Sequence, residues 1–175
     1  MKQMENSFVE INGKFLNIIK PQVIKNCAIA SLDIGSKSKC KETISISVIT
    51  KSEMAELNKQ FLQENHPTDV LAFPYSESWF FGRPVKNTKR NGEQENHLGD
   101  IFICFPIVEE QSKTLNTGLN LEINIMVAHG TLHLLGYDHE TPDGQKEMIE
   151  KTVEIIKHLK LDHIKAKLSL EERNE

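Results

Sequence analysis

The segment HGTLHLLGYDH, residues 129–139, constrains this chain more than any other part of its sequence. His129 and His133 are four residues apart, so on an α-helix their side chains share one face, with Cβ atoms about 5–6 Å apart. Gly136 follows, and a glycine there can take the left-handed conformation that ends a helix and turns the chain sharply. The turn can return His139 to the other two imidazoles. The spacing therefore predicts a helix, a break and a cluster of three histidines.

Three imidazoles in this arrangement predict a metal site with the ligands His129, His133 and His139. Imidazole nitrogens bind zinc at about 2.0–2.1 Å, and three neutral ligands leave a fourth tetrahedral position for water, as in catalytic zinc sites. The pKa of a zinc-bound water falls to about 7, which makes it a nucleophile at neutral pH. Copper, nickel and iron also accept imidazole, so one zinc ion per chain is predicted from ligand type and geometry. Packed histidines without a metal are the alternative, but a helix-breaking glycine before the third histidine favours the metal site.

The residue after the first histidine argues against one class of zinc enzyme. Peptidases of the HExxH type place a glutamate there as general base, and an extended form of their motif continues with a glycine and a third histidine. The spacing here matches the extended form, but Gly130 stands in the position of the glutamate. Glycine cannot accept a proton, so a peptidase is the weaker interpretation.

The size and composition indicate a soluble domain. The chain has 175 residues, of which 38% are hydrophobic and 26% charged, and a domain of this size can bury roughly 70% of its unfolded surface without disulfides. No apolar run approaches the roughly 20 residues that span a bilayer. The cysteines Cys27, Cys40 and Cys104 form no close pair, which is typical of reduced thiols. We therefore expect a single domain over residues 1–175 in the cytoplasm.

The distribution of charge is more informative than its sum. The net charge of −4 gives no support to nucleic-acid binding by itself. Lysines outnumber acids between Lys14 and Lys51, and the segment from Arg83 to Arg90 contains basic residues and no acid. Each cluster alone is typical of a solvated face or loop. Together they permit a positive surface that could attract phosphates.

Hydrophobic periodicity predicts an α+β fold, in which a small mixed β-sheet packs against helices and the metal site lies on a helix and the following turn. Alternating apolar residues predict strands at about 44–50, 69–73 and 98–105. Helical spacing predicts helices at about 14–30, 52–62, 106–116, 119–135 and 143–160. Ser52 is the expected N-cap of the second helix. Residues 75–97 contain glycines, charges and few spaced apolar residues, and we expect a long surface loop there.

Several segments around the histidines resemble a known family. They are HGTLHLLGYDH itself, Glu147-Met148, Leu57-Asn58, the PTDVLAFP segment at 67–74 and the LGDI segment at 98–101. Over about residues 44–160 the chain resembles the YbeY family of endoribonucleases, the bacterial rRNA maturation factors, with Ala72 in place of the usual serine. The resemblance implies zinc on the three histidines and a metal-dependent RNA hydrolase. It also implies a role in maturing the 3′ end of small-subunit rRNA and in ribosome quality control, with RNA and the small ribosomal subunit as partners.

One departure from the family pattern bears on catalysis. Members usually carry an arginine at the position of Leu62, where it is expected to face the cleft and hold phosphate, whereas leucine offers no such contact. Lys59, one helical turn earlier, is the candidate phosphate contact, and Arg83 or Arg90 could also reach in. Alternatively, Leu62 simply packs. No residue stands out as the general base, so beyond the zinc-bound water the catalytic residues stay unassigned.

Several alternatives are open at this point. A non-catalytic, zinc-binding factor associated with the ribosome is suggested by Leu62, and a zinc peptidase is opposed by Gly130. Met148 lies either beneath the metal or in the core of the last predicted helix, and the helical stripe of apolar residues around it favours the core. Asp138 either fixes the tautomer of a ligand histidine or caps the turn.

Overall fold

The structure is a computed structural model, and it describes residues 8–36, 42–75 and 96–173. Within these ranges the chain forms four strands and six helices, in the order β1 (Phe8–Gly13), α1 (Pro21–Gly35), β2 (Glu42–Ile49), α2 (Lys51–Phe61), β3 (Val70–Pro74), β4 (Asn96–Cys104), α3 (Phe105–Thr114), α4 (Leu119–Leu134), α5 (Pro142–His158) and α6 (His163–Glu172). No helix in these ranges has the length and the apolar character that crossing a bilayer requires.

The strands form one mixed sheet in the order β1-β2-β4-β3. β2 is parallel to both β1 and β4, whereas β3 is antiparallel to β4. Parallel neighbours need a crossover connection, and α1 provides the one between β1 and β2. The predicted α+β class, with a small mixed sheet against helices, is confirmed.

Helix α4 lies at the centre of the fold, where neighbouring elements bury it on almost every side. Twelve of its sixteen residues are buried. One side packs on the sheet face that carries Ile46 and Ile101, and other sides contact α1, α3 and α5. The opposite face of the sheet, which carries Phe73, packs on α2. The C-terminal end of α4, where the histidine segment begins, is therefore fixed between the sheet and the helices behind it.

The first helix begins at Pro21 and not near residue 14 as its periodicity predicted. Proline suits the first helical position, because its fixed φ matches the helix and the amide hydrogen it lacks would have no partner there. The apolar residues before it are arranged by a turn, in which the amides of Ile18 and Ile19 both donate to the carbonyl of Phe15. Phe15 stacks on Phe105, with ring centroids 4.5 Å apart. The apolar residues before Pro21 therefore lie in a turn and not in a helix, with Ile19 buried and Ile18 exposed.

The second helix is capped by Thr50, so the prediction of Ser52 was wrong. The Thr50 side chain accepts from the Glu53 amide, and the Glu53 carboxylate accepts from the Thr50 amide at 2.9 Å. This reciprocal capping box satisfies two amides at the helix start. Ser52 lies inside the first turn of the helix, because Lys51 is already helical.

Two elements were missed by the sequence analysis, namely β1 and α6. The buried positions of α6 are Ala166, Ser169 and Leu170, while Ile164 and Leu168 are exposed, so its apolar residues are divided between two faces and do not identify the inner one. The predicted loop over 75–97 ends earlier than expected, because β4 begins at Asn96. Residues 76–95 of that loop lie outside the described residues.

Helix α4 ends at Leu134, and Gly136 forms the turn after it, as the sequence predicted. Gly136 has a positive φ of 91°. Its amide donates to the carbonyl of His133 at 3.0 Å, and the amide of Tyr137 donates to the carbonyl of Leu132 at 3.0 Å. This pair of hydrogen bonds is a Schellman motif, which satisfies carbonyls that the helix end would otherwise leave unpaired. The motif reverses the chain directly after the second histidine.

Replacing Gly136 with alanine should lower the free energy of unfolding by about 1–2 kcal/mol, because the left-handed region disfavours a residue with a Cβ. A Cβ at this position would meet no heavy atom within 4 Å, so the loss would come from the backbone alone. Asparagine adopts the left-handed conformation more readily than alanine, and Gly136→Asn should therefore lower the free energy of unfolding by less than Gly136→Ala. Urea unfolding of the three proteins measures the differences, and equal losses in both variants would contradict this explanation.

Candidate metal centre

The three predicted histidines come together at the end of α4. Nε2 of His129 lies 3.1 Å from Nε2 of His133, as their spacing on one helical face requires. His139, in the turn after the helix, has its ring centroid 5.5 Å from that of His129 and 5.0 Å from that of His133. One ring nitrogen from each residue lies within 4.8 Å of the others. Three potential ligand atoms thus surround one small volume.

The turn after α4 also fixes the tautomer of His133. Its Nδ1 lies 3.0 Å from the carbonyl oxygen of Tyr137, and because a carbonyl can only accept, Nδ1 carries the hydrogen and donates. Nε2 of His133 then keeps its lone pair on the side of His129. The Tyr137 hydroxyl donates in turn to the carbonyl of Gly35, at the end of α1, over 3.1 Å. Metal-binding histidines are commonly oriented in this way through their other nitrogen.

Burial keeps the two helical histidines neutral. The pKa of His129 is lowered to about 3, mainly by desolvation and in addition by repulsion from the nearby imidazoles of His133 and His139. Burial is also the main reason why the pKa of His133 is lowered, followed by repulsion from His139. Only a neutral imidazole can bind a metal. At neutral pH both residues are therefore in the form that a metal requires.

The donor set fits a transition metal of the size of zinc. Two imidazole nitrogens bound tetrahedrally at about 2.0–2.1 Å would lie about 3.3 Å apart, close to the 3.1 Å between Nε2 of His129 and Nε2 of His133. Magnesium and calcium prefer oxygen ligands, and the cluster consists of three imidazoles. Imidazole suits zinc, copper, iron or nickel. Three protein ligands would leave coordination positions open to water or substrate.

A cavity of about 160 Å³ opens beside the cluster, with His129 and His139 in its wall. The remaining lining residues are apolar, Val70, Met126, Met148, Ile149 and Leu170, or polar, Asp69, Gln145 and Arg173. A reactant next to the histidines would therefore meet apolar walls and a few polar groups, which is the usual composition of a small-molecule or active-site pocket.

Gly130 lies where α4 meets the sheet. A Cβ on this residue would lie 2.8 Å from Cγ2 of Ile101 and 3.4 Å from Cγ2 of Val70. No side chain fits there unless β4 or its side chains move, so a glutamate could not point from this position toward a metal. Glycine at position 130 cannot act as the peptidase base, and the packing of α4 on the sheet also excludes a glutamate there.

Two further alternatives from the sequence can be decided. Met148 is 2% exposed and belongs to the main hydrophobic core, and it also lines the cavity, so the core interpretation is correct and the residue borders the site as well. Asp138 is exposed, and its Oδ1 accepts from the amide of Glu140 at 3.1 Å. Asp138 therefore caps the turn, while the carbonyl of Tyr137 orients His133.

Known proteins with similar sequences identify the family. The family described as Endoribonuclease YbeY matches residues 8–160. An endoribonuclease YbeY of Aster yellows witches'-broom phytoplasma is 36% identical over 127 residues, which cover 73% of this chain and 80% of the relative. One of Bacillus cereus is 26% identical over 147 residues, which cover 84% of this chain and 88% of the relative. This chain belongs to the YbeY family.

The fold agrees with this assignment. The solution structure of a Thermotoga maritima protein matches with a TM-score of 0.56 and 25% identity, over 87% of this chain and 92% of that chain. The resemblance inferred from the histidine segment is confirmed, and membership places the chain among hydrolytic endoribonucleases. The match to the family, unlike the chain, ends at residue 160, so α6 follows the part of the chain that the family match covers.

The departure from the YbeY pattern at Leu62 has a packing explanation. Leu62 is the C-cap of α2, is partly buried and packs against the apolar cluster that contains Phe73. It does not line the cavity, and neither does Lys59, which is exposed on α2. Arg83 and Arg90 lie outside the described residues. Of the described candidates for a phosphate contact, the structure therefore brings none to the histidines.

The structure instead places a different basic residue beside the histidines, one that the sequence analysis missed. Arg173 directly follows α6 and lines the cavity. Its guanidinium pairs with Asp69 at 2.9 Å and with Glu122 of α4. The available signal was Asp162, whose side chain accepts from the Lys165 amide at 3.0 Å and caps α6. An aspartate before a short helical segment is a weak signal, and it says nothing about where the end of that segment lies.

Removing one ligand should abolish metal binding. We expect close to one zinc per purified chain, and close to none in His139→Ala or His129→Ala, because two ligands and waters hold zinc poorly. Metal should also raise the melting temperature of the wild type but not of the two ligand variants, since a ligand present at 100 times its Kd stabilises by about 2.7 kcal/mol. Elemental analysis and thermal melts measure both effects. His66→Ala, whose side chain is 72% exposed on a loop, is the matched control, and equal zinc in all four proteins would rule out the site.

Gly130→Ala should destabilise the protein, although alanine is favoured over glycine in a helix by about 1 kcal/mol. The overlap with Ile101 should cost more, in the range of about 1–3 kcal/mol that overpacking usually costs. Ile101→Ala removes the overlapping atoms, so Gly130→Ala in that background should be neutral or stabilising. Urea unfolding of the four proteins of this double-mutant cycle measures the coupling. Additive effects would show that this contact does not exclude a side chain at residue 130.

Proposed function

We propose that this chain is a zinc-dependent endoribonuclease that cleaves single-stranded RNA in the cytoplasm. It would act in the maturation of the small-subunit rRNA 3′ end and in ribosome quality control, with the small ribosomal subunit as its partner. The observation that carries the proposal is the convergence of His129, His133 and His139 at the wall of a cavity, in a member of an endoribonuclease family.

Each residue around the cluster has a physical role in this proposal. The three histidines hold the zinc ion, which when bound would supply a water of lowered pKa and a positive charge for the scissile phosphate. The Tyr137 carbonyl keeps the lone pair of His133 directed at the ion. The apolar residues of the cavity limit the access of bulk water, which strengthens electrostatic interactions inside it.

No side chain is assigned as the general base. Asp69 is the carboxylate among the residues that line the cavity, but four donors occupy its two oxygens. Oδ1 accepts from the Val70 amide and the Thr68 hydroxyl, and Oδ2 accepts from the side chains of Gln111 and Arg173. A carboxylate that is bound in this way is a structural anchor and not a free proton acceptor.

Phosphates farther along the RNA need positive groups outside the cavity. Lys59 is exposed on α2 and is proposed as one such contact. Each contact between a lysine or arginine and a phosphate releases counterions, so RNA affinity should fall steeply as salt rises. The net charge of −4 does not prevent this, because local clusters decide the potential that a phosphate meets.

Purified protein should cleave a single-stranded RNA that contains a small-subunit rRNA 3′ end, and a chelator should abolish the cleavage. Zinc should restore it in the wild type but not in His133→Ala, because that variant lacks a ligand. His66→Ala should behave as the wild type. Gel analysis of the RNA products measures the reaction, and casein incubated in parallel should remain intact since Gly130 replaces the peptidase base.

Two results would replace this proposal by its alternatives. Zinc-loaded wild type that cleaves no RNA would favour a non-catalytic, zinc-binding ribosome-associated factor, which the leucine at position 62 also suggests. Proteolysis that is sensitive to chelator and lost in His133→Ala would instead identify a peptidase.

A further inference from the structure

We propose that Arg173 contacts a phosphate of the RNA inside the cavity that the three histidines border. This inference rests on the proposed RNA substrate. The arginine comes from the segment after α6, beyond the residues that the YbeY family matches. The contact would therefore be a contribution of the C-terminal helix of this chain to a site whose metal ligands lie in the family-matched part.

The buried face of α6 directs Arg173 inward. Ala166, Ser169 and Leu170 are buried, and residue 173 continues their helical stripe, since it lies seven, four and three positions after them. Its side chain is 17% exposed. It lines the cavity together with Leu170, and His129 and His139 line the same cavity. A guanidinium and the potential metal ligands therefore face the same small volume.

The guanidinium is held in place by several elements at once. Nη1 donates to Asp69 before β3 at 2.9 Å and to Gln111 of α3 at 3.1 Å. Nη2 donates to Glu122, which is fully buried on α4, and Nε lies 3.4 Å from the Ser169 hydroxyl. A cation fixed in this way would lose little conformational entropy when it binds an anion, unlike a mobile surface lysine.

One N–H of Arg173 is left for a ligand. A guanidinium has five N–H groups in a rigid fork. Among the described residues, the four oxygen acceptors named above use the hydrogen of Nε, both hydrogens of Nη1 and one of Nη2. The second hydrogen of Nη2 has no acceptor in that set. Because Arg173 lines the cavity, this hydrogen is the one available to an oxygen placed there.

The charge balance links this contact to the metal. Two carboxylates, Asp69 and Glu122, surround the single guanidinium, so an anion is not favoured by these three groups alone. The histidines add no charge while they are neutral. A divalent cation on them would reverse the balance, and a phosphate could then lie between the cation and Arg173. The contact should therefore be tested on zinc-loaded protein.

The test must separate a phosphate contact from the neutralisation of Glu122, because removal of Arg173 alone would leave a buried charge without its partner. The double variant Glu122→Gln/Arg173→Gln removes both charges and leaves the net charge unchanged. Its matched control is Lys167→Gln/Glu171→Gln, which removes an exposed ion pair from the same helix, 60% and 50% exposed with a separation of 3.8 Å. Thermal melts establish that each variant is folded at the assay temperature.

Two measurements compare the double variants with the wild type. The first is the salt dependence of affinity for a single-stranded DNA oligonucleotide, which supplies the same phosphates, followed by fluorescence anisotropy. One lost phosphate contact should reduce the slope of log K against log salt by about 0.7. The second is RNA cleavage, in which kcat/KM should fall about 10- to 100-fold, as expected for a lost hydrogen bond to a charged group. The control variant should change neither.

A folded double variant that keeps the wild-type slope and cleavage would overturn the proposal, because the guanidinium would then serve only Glu122. If the wild type cleaves no RNA, the proposed function fails, but the salt slope on DNA still decides the role of Arg173. Arg173→Lys covers the case in which the double variant does not fold. It keeps a positive charge beside Glu122 but lacks the planar fork that leaves one N–H for the phosphate, so kcat/KM for RNA cleavage should fall, and a folded Arg173→Lys variant that cleaves RNA like the wild type would count against the contact.

Discussion

The close contact between α4 and β4 at Gly130 is the constraint on which the site depends. The helix reaches the sheet only because residue 130 has no Cβ, since one would lie 2.8 Å from Ile101. This packing buries the helix and sets His129 at the wall of the cavity, with His133 one turn later. It also occupies the position from which zinc peptidases present their general base. The packing of one helix on one strand therefore limits which chemistry the histidines can support.

Buried charge plays a second organising role. Glu122 is fully buried in the central helix and is paired with Arg173. A buried pair of this kind is weak evidence for stability, because apolar residues of similar volume often stabilise as much. What the pair does provide is a defined place for the end of α6, whose docking would otherwise depend on the three buried residues Ala166, Ser169 and Leu170. The pair thus specifies where the C-terminal helix docks more than it strengthens the core.

The central part of the fold and the histidine cluster could be predicted because local sequence specifies them. Spacing on one helical face brings His129 and His133 together, and a glycine at 136 turns the chain, so no long-range information is needed. The start of α1 was mispredicted because a turn can contain apolar residues at the same spacing as a helix. α6 and Arg173 could not be found, because the pairing of Arg173 with Asp69 joins residues 104 positions apart. The tautomer of His133 depends on a backbone carbonyl, which no side-chain pattern reveals.

The three histidines are not equivalent in exposure. His139 is exposed and lies in a turn, whereas His129 and His133 are half-buried on a helix. An ion held by all three would therefore be exchanged through His139, since detachment of this one residue opens the ion to solvent while two nitrogens still retain it. The lifetime of the bound ion would depend on how often the turn opens. That turn is tied to α1 by the hydrogen bond from Tyr137 to Gly35, so the end of a helix about 100 residues earlier in the chain would set the residence time of the metal.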